Sequence, residues 1–170
     1  ENDKIKVVFT SKCAQASQVQ VKDYYTHDSL DLYLIRKNAS RLAIDFYTDQ
    51  QLSTSDFNFT KVAQTDSSIV MRLPYGENAY IEHEYTLAPD EYMVDFNLRM
   101  VGMDKYISRK SGVAVDWNLD IPRLERGYEN EKNYSTIAYK YPGEDKVEDL
   151  GLRKASSSED IATKVEWVAF

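Results

Sequence analysis

Cysteine, glycine and long apolar runs are scarce in this chain of 170 residues, and each scarcity excludes a class of structure. Cys13 is the single cysteine, so an intramolecular disulfide is impossible. The six glycines form no glycine-rich loop of the kind that cradles phosphates. No apolar run approaches the roughly 20 residues of a membrane-spanning helix. The sequence therefore predicts a domain outside the lipid, either on its own or as part of a larger protein.

Histidine is equally rare, which limits the catalytic chemistry available. His27 lies in a polar turn, and His83 lies on the apolar face of a predicted strand, where a hydrogen-bonded histidine is far commoner than a catalytic one. Neither has a closely spaced partner for a metal site. Asp116, Asn118 and Asp120 share a strand face, but successive side chains there are about 7 Å apart, too far for one calcium ion. We predict no catalytic residue, no metal site and no cofactor.

The charge balance argues against two kinds of partner. The chain has 28 acidic and 21 basic side chains, a net charge of −7 and a pI of about 4.9. Affinity for nucleic acid comes mainly from basic side chains that neutralise phosphates. Attachment to anionic lipid likewise needs a polybasic patch. We therefore predict no nucleic-acid partner and no lipid affinity of the chain's own.

Aromatic residues and period-two alternation are what the sequence has in quantity. It contains 13 Tyr, 6 Phe and 2 Trp, which favour pleated, half-buried surfaces. From Ala79 to Val101, two alternating runs flank a Pro-Asp turn, which predicts an antiparallel hairpin. One face of this central hairpin carries its apolar residues and His83: Ile81, His83, Tyr85 and Leu87 on the first strand, and Tyr92, Val94, Phe96, Leu98 and Met100 on the second.

The remaining pattern predicts one all-β domain over residues 1–170. About a dozen short strands with turn signals between them are typical of an antiparallel β-sandwich. The run from Val113 to Ile121 alternates without error, and we expect its apolar residues, Trp117 among them, to point into the core. Pro122 ends that run. One short helix is predicted from Arg123 to Lys132, weakened by Gly127.

Several short strings, taken in order along the chain, resemble the large periplasmic domain of the membrane protein insertase YidC in the form found in Bacteroidetes. They span nearly the whole chain: Ile5 to Phe9 with Ser11-Lys12, Val19 to Tyr24, Tyr92 to Phe96, Val101-Gly102-Met103, Trp117 with Pro122, Glu125-Arg126-Gly127, Tyr134 to Ile137, Tyr141-Pro142-Gly143 and Trp167 to Phe170.

The resemblance implies a β-supersandwich similar to galactose mutarotase, placed on the periplasmic side of the bacterial inner membrane and anchored by flanking spans that this chain lacks. It implies an accessory, partner-docking role in the insertion and folding of membrane proteins, without enzymatic activity. The implied partners are accessory subunits of the Sec translocon and nascent membrane proteins, and we expect the isolated domain to be a monomer.

Two alternatives and one departure accompany this interpretation. Fold analogy also allows a carbohydrate- or peptide-binding sandwich module, or a mutarotase-like enzyme, which needs an acid and a base in a cleft. The family usually has glycine where this chain has Cys13. Glycine there suggests a turn with positive φ. Three explanations follow: the turn is relaxed in this chain, Cys13 carries strain, or the match to the family is out of register at this point.

Overall fold

The computed structural model describes residues 1–108, 112–151, 158 and 165–169, which divide into two compact units, Glu1–Pro122 and Arg123–Phe170. In the first unit the strands, in chain order, are β1 (Ile5–Thr10), β2 (Gln15–Tyr25), β3 (Asp31–Ile35), β4 (Ser40–Tyr47), β5 (Gln51–Ser53), β6 (Thr60–Gln64), β7 (Ser68–Gly76), β8 (Ala79–Leu87), β9 (Val94–Val101) and β10 (Val113–Leu119). Single turns of 3₁₀ helix occupy Thr54–Asp56 and Met103–Lys105.

These strands form three antiparallel sheets. Their orders are β1-β2-β3, β10-β4-β5 and β6-β7-β8-β9. The all-β antiparallel class predicted from the sequence is confirmed. The closer likeness to galactose mutarotase stays a prediction.

The central hairpin is β8 paired with β9, as predicted, but β9 begins at Val94, and Tyr92 lies before it and is exposed. His83 lies opposite Leu98 and Tyr85 lies opposite Phe96, so the predicted apolar face is continuous across both strands. Just after β9 the chain reverses at Gly102, whose φ is 65°. A Cβ atom there would lie 2.6 Å from the carbonyl oxygen of Asn78, so both the backbone conformation and the available space require glycine.

The core of the first unit forms where the other two sheets pack on this face. The Phe9 ring of β1 lies 4.6 Å from that of Tyr85, and the Phe46 ring of β4 lies 6.3 Å from that of Tyr75. Ile81 is fully buried between them, a burial that contributes about 1.5–3 kcal/mol. The buried residues of this cluster are Ala14, Phe46, Phe59, Met71, Ala79, Ile81, Tyr85 and Met103.

The prediction that the apolar residues of β10 point into the core is wrong. Val115 is 61% exposed and Trp117 is 39% exposed, and Val113 and Ile121 are also exposed. β10 is an edge strand that pairs only with β4, where Trp117 lies opposite Leu42. Alternation identifies the two faces of a strand, but it does not show whether another sheet covers either of them.

The second unit contains the only α-helix of the described residues, and it begins later than predicted. Helix α1 (Tyr128–Tyr134) follows Gly127, and β11 (Thr136–Lys140) then pairs with β12 (Val147–Gly151) and β13 (Trp167–Ala169). The carboxylate of Glu131 accepts hydrogen bonds from the backbone amides of Leu124 (2.8 Å) and Glu125 (3.3 Å). These bonds go to a side chain, so the segment after Pro122 stays outside the helix.

Candidate functional site

The connection between β1 and β2 holds two consecutive residues in an unfavourable backbone conformation. Cys13 has a φ of 60° and Ala14 a φ of 48°. The left-handed region costs a residue with a side chain roughly 1–2 kcal/mol. Both residues are buried, with Cys13 2% exposed. The turn is therefore not relaxed, and of the three outcomes considered for Cys13 the structure shows strain. We call residues 11–15 the strained turn.

Two side chains of the central hairpin hold the strained turn in place. The Tyr85 hydroxyl donates a hydrogen bond of 2.8 Å to the Ala14 carbonyl, and His83 Nδ1 lies 3.2 Å from the same oxygen. Because a carbonyl only accepts, Nδ1 carries the proton. We call this pair of bonds the Ala14 clamp. Burial raises the pKa of the Tyr85 hydroxyl, which keeps it protonated and able to donate.

Further hydrogen bonds join the strained turn to residues 55–59. The Cys13 amide donates to the Phe57 carbonyl at 3.2 Å, and its thiol donates to the Ser55 carbonyl at 3.7 Å. The Phe59 amide donates to the Ser11 carbonyl at 2.8 Å. Surrounding structure thus determines the conformation of the turn at several points, which is what allows strain to persist.

His83 is a structural residue, as its strand position predicted. Its side chain is fully buried, with the Phe59 ring 4.8 Å away and the Phe96 ring 5.1 Å away. Burial lowers the pKa of His83 despite the opposing effect of the bond to Ala14. The ring is therefore neutral, and its buried Nε2 has no hydrogen-bond partner among the described residues.

An open cleft of about 760 Å³ lies directly above the strained turn. We call it the basic cleft, because three cationic side chains line it, Lys12, Lys37 and Arg41, against one carboxylate, Asp56. Serine hydroxyls and the Asn38 amide supply most of the remaining polar lining. Its volume falls within the range of small-molecule pockets.

One wall of the basic cleft is a strand edge that side chains have closed. The edge of β4 away from β10 pairs with β5 only over residues 45–47. Below that, the Gln15 amide donates to the Ser40 carbonyl at 3.0 Å and accepts from the Leu42 amide. The Thr54 hydroxyl accepts from the Ile44 amide at 2.8 Å. Gln15 and Thr54 are buried, so they replace a neighbouring strand and leave this edge unable to pair with another chain.

The charged residues of the basic cleft affect the pKa of the Cys13 thiol. Burial raises the pKa of its thiol, while the positive charges of Lys12 and Arg41 oppose that rise and Asp56 adds to it. The thiol therefore stays protonated and packs as a small apolar group. Arg41 also forms an ion pair with Asp116, whose other oxygen accepts from the Asn118 amide at 2.7 Å. Two residues of the strand face that carries Asp116, Asn118 and Asp120 thus belong to a surface network with Arg41.

A second cleft, of about 360 Å³, lies at the far end of the central hairpin. Its floor is apolar and includes Phe9, Ile69 and Leu87, and the polar turn at residues 65–67 forms its rim. Trp117, an exposed aromatic residue of β10, lines neither cleft. No group of three or more potential metal ligands occurs in the part of the chain that the structure describes.

Sequence reasoning predicted no site residue and missed the basic cleft. Lys12 lies in the connection between β1 and β2, Lys37 lies in the connection between β3 and β4, and Arg41 lies near the start of β4. Nothing in the sequence shows that the chain brings Lys12 to the other two. The one available signal was Cys13, where a side chain stands at a position that favours glycine. That signal located the strained turn, but the cleft above it is a property of the folded chain.

Curated relatives with sequences similar to this whole chain are membrane protein insertases. The chain is 30% identical over 172 residues to the membrane protein insertase YidC of Bacteroides fragilis, covering all of this chain and 28% of that protein. It is 31% identical over 172 residues to that of Phocaeicola vulgatus and 30% identical to that of Porphyromonas gingivalis, covering 27% of each. This chain is homologous to a segment of YidC. The resemblance found in the sequence is thereby confirmed.

The match to YidC is partial in length. The chain spans somewhat more than a quarter of the curated relatives it matches. Neither a family model nor a solved structure matches it. Among the described residues, no helix is long and apolar enough to cross a membrane.

We predict that Cys13→Gly is more stable than Cys13→Ala by about 1 kcal/mol, because both lose the thiol but only glycine adopts a φ of 60° without strain. Urea denaturation of the two variants measures this difference. The matched control is Ala114→Gly in β10, which lies outside the positive-φ set and should lose roughly 0.5–1 kcal/mol. Equal stability of the two Cys13 variants would show that the turn is unstrained.

We also predict that unfolding free energy decreases as pH falls below the ordinary histidine value of about 6.5. The folded pKa of His83 is lowered, so the unfolded chain binds the proton first, and stability is complete above that pH. The slope for one proton is at most about 1.4 kcal/mol per pH unit. Urea titrations between about pH 7.5 and pH 5.5 test this.

The matched variants for the pH experiment are His83→Asn and His27→Asn. Asparagine at position 83 retains a donor for the Ala14 carbonyl but does not titrate, so the slope should disappear. His27 is exposed, and its replacement should leave the slope unchanged. A slope that survives His83→Asn would assign the pH dependence to other groups.

Proposed function

We propose that this chain is an accessory, partner-docking domain of a YidC insertase. The observation that carries this proposal is the homology of the whole chain, from end to end, to one segment of a much longer membrane protein insertase. On this proposal, the domain lies on the periplasmic side of the bacterial inner membrane and is anchored there by spans elsewhere in the insertase. Residues 1–170 act as one domain, monomeric when isolated.

The proposed role is contact with protein partners rather than catalysis. The partners we propose are nascent membrane proteins and accessory subunits of the Sec translocon. Both histidines support this choice, since His83 is buried in the Ala14 clamp and His27 lies in an exposed turn away from either cleft. The single thiol is buried and stays protonated, which removes the most reactive nucleophile of the chain.

Weak intrinsic affinity is part of the proposal. A domain tethered in the same membrane as its partner meets that partner at a high effective concentration, so modest contacts suffice. The net charge of −7 also disfavours direct binding to an anionic bilayer, which leaves the surface available to proteins. The alternative of a carbohydrate-binding module has less support, because Trp117 lines neither cleft.

The test is removal of residues 1–170 from a full-length insertase that carries them, with the flanking segments joined by a short flexible linker. We expect insertion of simple substrates to continue and partner crosslinking to be lost, because the domain supplies contacts and not the transfer step. Site-specific photocrosslinking and a protease-protection assay of insertion measure the two results.

The control is the intact insertase, matched for its level in the membrane by immunoblotting. Loss of insertion by a shortened protein that is folded and membrane-embedded would contradict the proposal, because the domain would then take part in transfer itself. Unchanged crosslinking would contradict the docking role.

A further inference from the structure

The basic cleft concentrates positive charge in a chain that is otherwise acidic. Lys12, Lys37 and Arg41 all line it, whereas Asp56 is its one acidic lining residue. The chain as a whole carries a net charge of −7. A local excess of positive charge in a concave site raises the concentration of negatively charged partners near it. The cleft therefore attracts negatively charged partners, whereas the net charge of the whole chain repels them.

Two of the three cations are available to a ligand. Lys12 and Lys37 are exposed, and neither has an ion-pair partner among the described residues. The Arg41 guanidinium binds Asp116 but remains exposed at the same rim. Each ammonium group has three N–H donors and no acceptor, so anionic oxygens are its natural ligands.

The backbone that carries these cations is fixed before any ligand binds. Lys12 precedes the two positive-φ residues of the strained turn, and the Ala14 clamp holds that turn. Asn38, next to Lys37, also has a positive φ, of 66°. Gln15 joins the turn to β4 beside Arg41. Local strain that the surrounding structure maintains is characteristic of binding sites, where it organises the site in advance.

We propose that the basic cleft binds a short acidic segment of a polypeptide, through carboxylates that contact Lys12 and Lys37. This inference rests on the proposed docking function and names the chemistry of the partner. Serine hydroxyls and the Asn38 amide along the cleft supply hydrogen bonds to the backbone of an extended segment. The closed edge of β4 makes the contact one of side chains in a cleft rather than addition of a strand.

Polypeptide is favoured over an anionic glycan or a lipid headgroup. The aromatic ring that lines the cleft, Phe9, packs against Tyr85 in the core and is not free to stack on a sugar. An anionic membrane surface would lie against much of the chain and not only the cleft, so the net negative charge of the chain would repel it. An unstructured acidic segment reaches the cleft alone, without bringing a charged plane with it.

The experiment measures binding of a short blocked peptide of alternating serine and glutamate to the 170-residue chain by NMR chemical-shift titration. We expect shifts centred on residues 11–15 and 37–41, and affinity that falls as salt rises. Lys12→Gln with Lys37→Gln should weaken binding by roughly two- to thirtyfold, the range for two exposed ionic contacts.

The matched control is Lys6→Gln with Lys105→Gln, which removes two exposed lysines outside the cleft and should leave affinity unchanged. The same peptide with glutamine for glutamate should not bind. Parallel titrations use inorganic phosphate, glucuronate and phosphatidylglycerol vesicles.

Several results would overturn the inference. These are absence of binding by the acidic peptide, equal weakening by both double variants, or equal or tighter binding of phosphate, glucuronate or vesicles. Each of these leaves the domain-deletion result untouched, so failure of the cleft and failure of the docking function are distinguishable. A melting curve for each variant confirms that it is folded.

Discussion

One backbone carbonyl, that of Ala14, connects the most unfavourable part of this chain to its most regular part. The carbonyl accepts hydrogen bonds from Tyr85 and His83, which belong to the buried face of the central hairpin. The hairpin is a long, uninterrupted ladder and supplies rigidity. The strained turn cannot supply its own, because two successive side-chain-bearing residues there have positive φ. Through the Ala14 clamp, the rigid hairpin stabilises the strained turn.

This arrangement links the core of the first unit to its surface. His83 and Tyr85 lie among aromatic rings at the centre of the sandwich. Lys12, just before the strained residues Cys13 and Ala14, lines the basic cleft. Gln15, just after them, closes the edge of β4. A docking domain with weak contacts needs such rigidity, because ordering a mobile surface on binding would consume part of a small binding free energy.

The sequence predicted regular elements better than it predicted their surroundings. The central hairpin was predictable because two long alternating runs and a Pro-Asp turn specify both the pairing and the buried face. β10 alternates equally well, yet its apolar side chains are exposed, because covering them depends on distant parts of the chain. The helix start depended on Glu131, which binds backbone amides six and seven residues earlier. The cleft forms where Lys12 meets the segment that carries Lys37 and Arg41, and no local pattern in the sequence indicates that contact.

Amide hydrogen exchange in Tyr85→Phe tests the central claim most directly, because this change removes one hydroxyl and keeps the ring contacts with Phe9 and Phe96. If the clamp fixes the turn, the Cys13, Ala14 and Phe59 amides should lose protection by roughly fivefold, about 1 kcal/mol, relative to the amides that join β7 and β8. If the turn amides keep their protection relative to those hairpin amides, the strained turn is held by other contacts and the account is contradicted.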